Sequence, residues 1–327
     1  MTMQTRTIPG VTKPVSRIVL GTMIINRTEQ EKSEALLDAA LELGITTFDT
    51  AHVYGGGDTE RAIGVWLQKR KNREQVVIIG KGCHHNGDRQ RVTAYDIGSD
   101  LLDTLARLQT SYVDIYMLHR DDRSQPVSGI VEALNEQLRA GRMRAFGGSN
   151  WSFERIREAN DYAKAHGLVG MTVTSPNFGL AEQVQDPWGP GCETISGPQN
   201  VAARAWYATS NTSIFAYSSL ARGLFSGRIR SAQAEQDKGQ LDGAAQTAYF
   251  HPVNIQRLAR CEQLAAKKGL SVPQIATAWI LSQPLPVFAL VGAANRAELQ
   301  STIAGAAVQL AAEECRWLDQ GEAKASA

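Results

Sequence analysis

The sequence predicts a closed (β/α)8 barrel over residues 1–327, a single α/β domain with long loops at one end. Three observations predict it. Short β-branched or aromatic runs alternate eight times with longer stretches of helical spacing. Most of the short runs are apolar on successive positions, as parallel strands buried on both faces require. The 327 residues exceed, by the length of a few loops, the roughly 250 that such a barrel needs.

The strand-like runs are residues 18–21, 46–50, 76–81, 113–119, 144–149, 171–175, 214–218 and 287–292. After the first, Thr28 followed by Glu31 reads as a capping box. It precedes an apolar helix face made by Leu36, Leu37, Ala40 and Leu43. Gly44 suits the left-handed residue that ends such a helix. Leu101, Leu102, Leu105 and Leu108 give a second helical stripe, and Ile130, Leu134 and Leu138 a third. "GLSVPQIATAWIL" reads as a core helix near the end of the chain.

The surplus length has two homes. Residues 180–199, rich in Pro, Gly and Gln, form a long loop after the sixth strand. Residues 228–250, rich in Gln, Ala and Gly, form a mobile excursion after the seventh. Residues 312–327 read as a final helix with a frayed tail. No domain linker and no repeat beyond the βα unit interrupts the pattern. A doubly wound sheet would carry GxGxxG after its first strand; that strand here ends in "VLGTMIIN", which favours the barrel.

The 34 basic and 33 acidic side chains leave a net charge of +1, so no electrostatic footprint points to nucleic acid or an anionic membrane. A small molecule is the expected partner. No apolar run is long enough to cross a bilayer, and residues 1–9 lack the apolar core of a signal peptide. Cys83, Cys192, Cys261 and Cys315 are far apart and form no CxxC pair, a usage that fits free thiols in the cytoplasm.

In a barrel of this kind the chemistry sits where strands end and βα loops begin. Asp49 closes the second strand in "TTFDTAHVYGGG", and Tyr54 follows on its loop. Lys81 closes the third strand and His119 the fourth. Together the four make a proton donor. An isolated tyrosine, with a pKa of about 10, is too weak an acid at neutral pH, but a neighbouring ammonium favours the phenolate and lowers that value. Asp49 would hold Lys81 charged and in place, and His119 would orient a carbonyl and add a hydrogen bond to its oxygen. None of the four delivers hydride, so a redox reaction requires a bound nicotinamide.

Each residue alone has a plainer role, Asp49 and Lys81 as an ion pair at the rim and His119 as a hydrogen-bonded core histidine. The set of four favours chemistry. Cys83, His84 and His85 are adjacent, and neighbours on an extended chain point to opposite faces. No second ligand cluster has zinc-like spacing, so no metal is expected.

The strings "FDTAHVYGGG", "IGKG", "LLDTLARLQTSYVDIYMLHRD", "GGSNW" and "FAYSSLARGLFSG" resemble, in order, the successive motifs of the aldo-keto reductase superfamily, from about residue 18 to 304. The resemblance implies an NADP(H)-dependent oxidoreductase that reduces an aldehyde or ketone to an alcohol, or runs in reverse. It implies catalytic roles for Asp49, Tyr54, Lys81 and His119, with Tyr54 as general acid and base.

It also implies a cofactor cradle. Gly21 and Thr22 would border it. Ser149 and Asn150 would bind the nicotinamide carboxamide, with Ser175 or Asn177 replacing the glutamine common in the family, and Tyr217 would stack on the ring. Ser218, Leu220, Gly223, Leu224 and Ser226 would wrap the pyrophosphate, with Arg228 beside it. Gly292, Asn295 and Arg296 would hold the adenosine 2′-phosphate. Arg296 is the one guanidinium in "VGAANRAELQST", so NADP(H) is expected and NAD(H) is the alternative.

Met23, Ile24, Trp151, Phe178, Trp188 and Phe250 would line the substrate pocket. Two rival readings are a non-catalytic NADP(H)-binding regulatory subunit, which the intact quartet opposes, and a lyase using Lys81 as a Schiff base. A Schiff-base lysine must lose its charge, and Asp49 would preserve it.

Overall fold

The computed structural model describes residues 3–321. An antiparallel hairpin comes first, β1 (Thr5–Ile8) and β2 (Val11–Ser16). Eight parallel strands follow: β3 (Ile18–Gly21), β4 (Thr47–Asp49), β5 (Val77–Gly82), β6 (Val113–Leu118), β7 (Met143–Ser149), β8 (Val173–Ser175), β9 (Ser213–Ala216) and β10 (Val287–Val291). Each pairs with its chain neighbour, and β10 closes the barrel onto β3. All eight end within two residues of the predicted runs.

Around them lie α1 (Gln30–Glu42), α2 (Asp58–Arg70), α3 (Ala94–Leu108), α4 (Val127–Arg139), α5 (Phe153–Ala165), α6 (Val201–Thr209), α7 (Ala234–Asp237), α8 (Gly243–Tyr249), α9 (Pro252–Lys268), α10 (Val272–Leu281), α11 (Arg296–Ala306) and α12 (Ala312–Gln320).

The barrel wall separates two cores. Side chains alternate across a strand, so one set fills the lumen: Val19, Val77, Ile79, Ile115, Met117, Ala145, Val173, Phe215, Phe288 and Leu290. The other set, including Leu20, Phe48, Ile78, Tyr116 and Phe146, packs outward against the helices. Phe215 stacks on Phe288 with ring centroids 4.6 Å apart, which plugs the lumen with aromatic surface. The hairpin joins the inner core through Ile8, Val11 and Val15 and caps the barrel at the N-terminal ends of the strands.

Three local expectations are corrected. Thr28 and Glu31 form no capping box: α1 begins after Glu29, which makes no side-chain cap. Asn26 does that work instead, accepting from Glu29 N at 2.8 Å and receiving the Ser33 hydroxyl on its carbonyl at 2.9 Å. Leu102 is 49% exposed, and Ile97 and Thr104 join Leu101, Leu105 and Leu108 in the buried stripe. Residues 228–250 are not a loose excursion, because Leu241, Ala245, Ala248 and Tyr249 pack into the outer core. The final helix ends at Gln320, and the expected tail over residues 322–327 lies outside the described residues. Among the described residues no helix is long and apolar enough to cross a membrane.

Candidate active site

Alternation dictates which strand-end residues enter the lumen. Two positions beyond the inward-facing Val19, Ile79, Met117, Val173, Phe215 and Leu290 lie Gly21, Lys81, His119, Ser175, Tyr217 and Gly292. Asp49 follows the outward Phe48, and Ser149 lies four beyond the inward Ala145. The strand period alone therefore gathers these residues at the C-terminal mouth.

Asp49 and Lys81 are each 2% exposed. The Lys81 Nζ lies 2.6 Å from both carboxylate oxygens of Asp49 and donates to the Thr50 carbonyl at 3.1 Å. It reaches the Tyr54 hydroxyl at 3.5 Å and sits 5.2 Å from the centre of that ring. His119 meets Tyr54 edge-on, with centroids 5.8 Å apart. Tyr54 and His119 are only partly buried, so each keeps an edge toward the mouth. The quartet expected from the sequence is thus assembled, with Tyr54 and His119 facing outward and the ion pair behind them.

Protonation follows from this layering. Burial opposes the Lys81 charge, yet Asp49 and Tyr54 hold its pKa above the ordinary lysine value. Burial pushes His119 well below the ordinary imidazole value, and the Lys81 charge adds to this, so the ring is neutral at pH 7. Tyr54 departs from expectation. Burial raises its pKa and outweighs the lowering by Lys81. The ammonium does not make a ready phenolate; it keeps the phenolate accessible in a site whose dryness opposes it.

The residues assigned to nicotinamide are interlocked. Asn150, held at φ +58°, accepts on Oδ1 from the Tyr217 hydroxyl at 2.9 Å and from Glu193 N at 3.2 Å. Its Nδ2 donates to the His119 carbonyl at 3.3 Å. Ser149 Oγ donates to the Ser175 carbonyl, and Ser175 Oγ to the Phe215 carbonyl. Asn177 spends its amide on the Tyr249 hydroxyl and the Tyr217 carbonyl. Ser175 and Asn177 are therefore committed to the barrel wall and the loop above it.

Beyond Tyr217 the chain turns through positive φ at Ser218, Ala221, Arg222 and Gly223, a conformation costly for the three that are not glycine. Ser226 Oγ donates to the Gly223 carbonyl and receives the exposed Arg228 Nε. Leu224 is fully buried, and Leu220 packs at the edge of the outer core. Thr22, fully buried, donates its hydroxyl to the Asp49 carbonyl at 2.8 Å and so positions the aspartate. Asn295 caps α11 by accepting from Glu298 N. Arg296, the lone phosphate candidate, pairs with Glu42 at 2.5 Å on an exposed surface.

Two expected pocket residues lie elsewhere. Trp151 is 1% exposed and donates to the Arg120 carbonyl, and Phe178 is buried against Trp279. Three features were missed. His84 stands with its ring 5.0 Å from that of His119, because Cys83 at φ +62° breaks the extended path assumed for this triplet. Arg120 donates to the Gly191 carbonyl and to Cys192 Sγ, tethering the long loop. Arg222 lies over Trp188 at 5.2 Å while pairing with Asp242, so it joins both surplus segments above Tyr217. The positively charged residue after the fourth-strand histidine was the one readable signal among them.

The sequence model of the Aldo/keto reductase family matches residues 17–322. The chain belongs to that family. It is similar to an uncharacterized oxidoreductase, YrpG, of Bacillus subtilis (strain 168), with 28% identity over 93% of this chain and 91% of the relative. It is also similar to the aldo-keto reductase YhdN of the same organism, with 29% identity over 88% of this chain and 83% of the relative. A crystal structure of a thermostable aldo-keto reductase, Tm1743, in complex with the inhibitor epalrestat superposes with a TM-score of 0.74 and 22% identity, covering 98% of this chain and all of that one.

Aldo-keto reductases are oxidoreductases that use nicotinamide cofactors, and the residues present fit the nicotinamide end of one. A nearly buried amide with both donor and acceptor, an aromatic ring beside it and a neutral imidazole whose Nδ1 has no partner converge at the mouth. The adenosine end offers a single guanidinium, already paired with Glu42.

Proposed function

We propose that the chain is a cytoplasmic, single-domain, NADP(H)-dependent reductase of small aldehydes or ketones, working in either direction, with Tyr54 as the general acid and base. The observation that carries this reading is the Lys81 ammonium held between the Asp49 carboxylate and the Tyr54 hydroxyl.

A reduced nicotinamide, when bound, supplies the hydride that no side chain here can provide. Asn150 and Ser149 would orient its carboxamide, with Asn150 exchanging its bond to Tyr217, and Tyr217 would bear on the ring face. The neutral His119 presents an N–H to the carbonyl oxygen of the substrate. As hydride reaches the carbonyl carbon, Tyr54 gives its proton to that oxygen, and Lys81 stabilises the phenolate left behind. Asp49 keeps Lys81 charged throughout.

Titrating NADPH and NADH by fluorescence quenching, followed by a carbonyl screen with whichever binds, tests the reading. Tight NADPH binding without turnover of any carbonyl would replace it by the regulatory subunit.

The pH dependence follows from the two shifts. Reduction uses the protonated phenol, and burial raises the Tyr54 pKa. The acid form therefore persists as pH rises, and kcat for reduction should stay level from about pH 6 to pH 9, falling only above the ordinary tyrosine value of about 10. His119 is held far below its ordinary value, so no acid limb should appear near pH 6.5. A profile of kcat with saturating NADPH reads both, and an inflection between pH 6 and 8 contradicts the assignments.

Arg296 decides cofactor choice. Arg296→Ala should weaken NADPH binding about tenfold, on the scale of one exposed charge-assisted contact, and leave NADH unchanged. Equal loss for both cofactors would place the 2′-phosphate elsewhere.

A further inference from the structure

His84 has no part in the proton transfer described above, yet it stands at the mouth. Its ring meets that of His119 edge to face, with centroids 5.0 Å apart, and packs on His85 at 4.4 Å. With Val53 and Gly56, which flank Tyr54, it lines a cavity of about 240 Å³. Three imidazole or phenol rings, His84, His119 and Tyr54, thus run in sequence from that cavity to the ion pair.

The hydrogen bonding of His84 defines what it offers. Nδ1 lies 2.9 Å from the His85 carbonyl oxygen, and only an N–H can bond a carbonyl, so the proton is on Nδ1. Burial lowers the pKa of the ring, outweighing the hydrogen bond to the His85 carbonyl that raises it, and the Arg120 charge lowers it further. The ring is therefore neutral, and Nε2, which makes no hydrogen bond among the described residues, is an acceptor. Nothing an unsubstituted aldehyde carries can use that acceptor. A hydroxyl on the carbon next to the carbonyl can.

We propose that His84 is a specificity residue that accepts a hydrogen bond from a hydroxyl adjacent to the substrate carbonyl, making α-hydroxy aldehydes and ketones the favoured substrate class. The assignment rests on the reductase reading above. With the carbonyl oxygen held by Tyr54 and His119, a hydroxyl on the adjacent carbon would have the His84 ring, edge-on to His119 at 5.0 Å, as its neighbouring acceptor. A site that bonds a hydroxyl discriminates against the analogue lacking it, because the acceptor is then left unpaired.

The test compares kcat/KM for glycolaldehyde with that for propanal, which replaces the hydroxyl by a methyl group. The wild type should favour glycolaldehyde. In His84→Phe the ratio should fall about tenfold, the loss of roughly one hydrogen bond. His84→Gln, whose amide oxygen also accepts, should recover most of it. A ratio equal in wild type and His84→Phe overturns the assignment and leaves the reductase reading standing. Failure of the wild type to reduce any carbonyl with either cofactor overturns both. A readout independent of turnover is the 15N spectrum of histidine-labelled protein, with His84 identified by its loss in His84→Gln. The unprotonated Nε2 signal should move on adding glycolamide and not on adding propionamide, and a signal indifferent to both overturns the assignment.

Discussion

Tyr54→Phe should lower kcat for carbonyl reduction by about 10²–10⁴-fold, the contribution of a positioned general acid, and leave NADPH affinity unchanged. The substitution removes one oxygen and keeps the ring that packs edge-on against His119, so the shape of the mouth survives. Its fold stability should hardly change, because the hydroxyl is only a 3.5 Å partner of Lys81. What disappears is the proton that must reach the alkoxide as hydride arrives. Water is a poor substitute at that moment, and the neutral His119 is a weaker acid than an imidazolium. Single-turnover kinetics separates this loss from cofactor binding, which fluorescence titration reads directly. Turnover in Tyr54→Phe equal to that of the wild type would remove Tyr54 from the chemistry.

The eight strands were readable because parallel strands buried on both faces leave apolar runs of a length that few other elements produce. Asp49, Lys81 and His119 were readable because each lies at a strand end or just past it, where the period of two decides which way it points, whereas Tyr54 stands on the turn five residues beyond Asp49. What stayed hidden is tertiary. The hairpin of β1 and β2 has its own signal, a Pro9-Gly10 turn with Gly10 at φ +86° between two alternating runs, but Pro14 and the charged residues disguise a short strand. Whether Thr28 or Asn26 secures α1 depends on which side chain accepts from the backbone at its start, here Asn26 Oδ1 from Glu29 N, and spacing does not encode it.

The misplacement of Trp151 has a backbone cause. Loop residues following a strand reach either the mouth or the outer core according to the path of the backbone, and positive φ at Asn150 turns Trp151 back toward Arg120. His84 was hidden by the same effect at Cys83. The raised pKa of Tyr54 required burial as well as proximity, and burial is not a property of residue spacing.

Lys81→Met should abolish activity and also destabilise the fold by about 3–5 kcal/mol, the usual consequence of leaving a buried charge without its partner. Asp49 would then sit 2% exposed with the ammonium gone from both its oxygens. Removing both charges should be milder: in Asp49→Asn/Lys81→Met neither charge remains to be stranded, so urea unfolding should show a strongly favourable coupling in the double-mutant cycle, while catalysis stays lost. The pH dependence supplies the sign. Burial already raises the Asp49 pKa even with Lys81 opposing it, and in Lys81→Met that opposition is gone. The folded carboxyl then binds a proton more tightly than the unfolded one, so the variant is relatively most stable below the ordinary carboxyl value of about 4. It loses stability as pH rises from there through the raised folded value. The deficit against wild type should therefore shrink between pH 7 and pH 4. Simple additivity of the two single losses, or a deficit that ignores pH, would mean that this ion pair is not the element holding Lys81 beneath Tyr54.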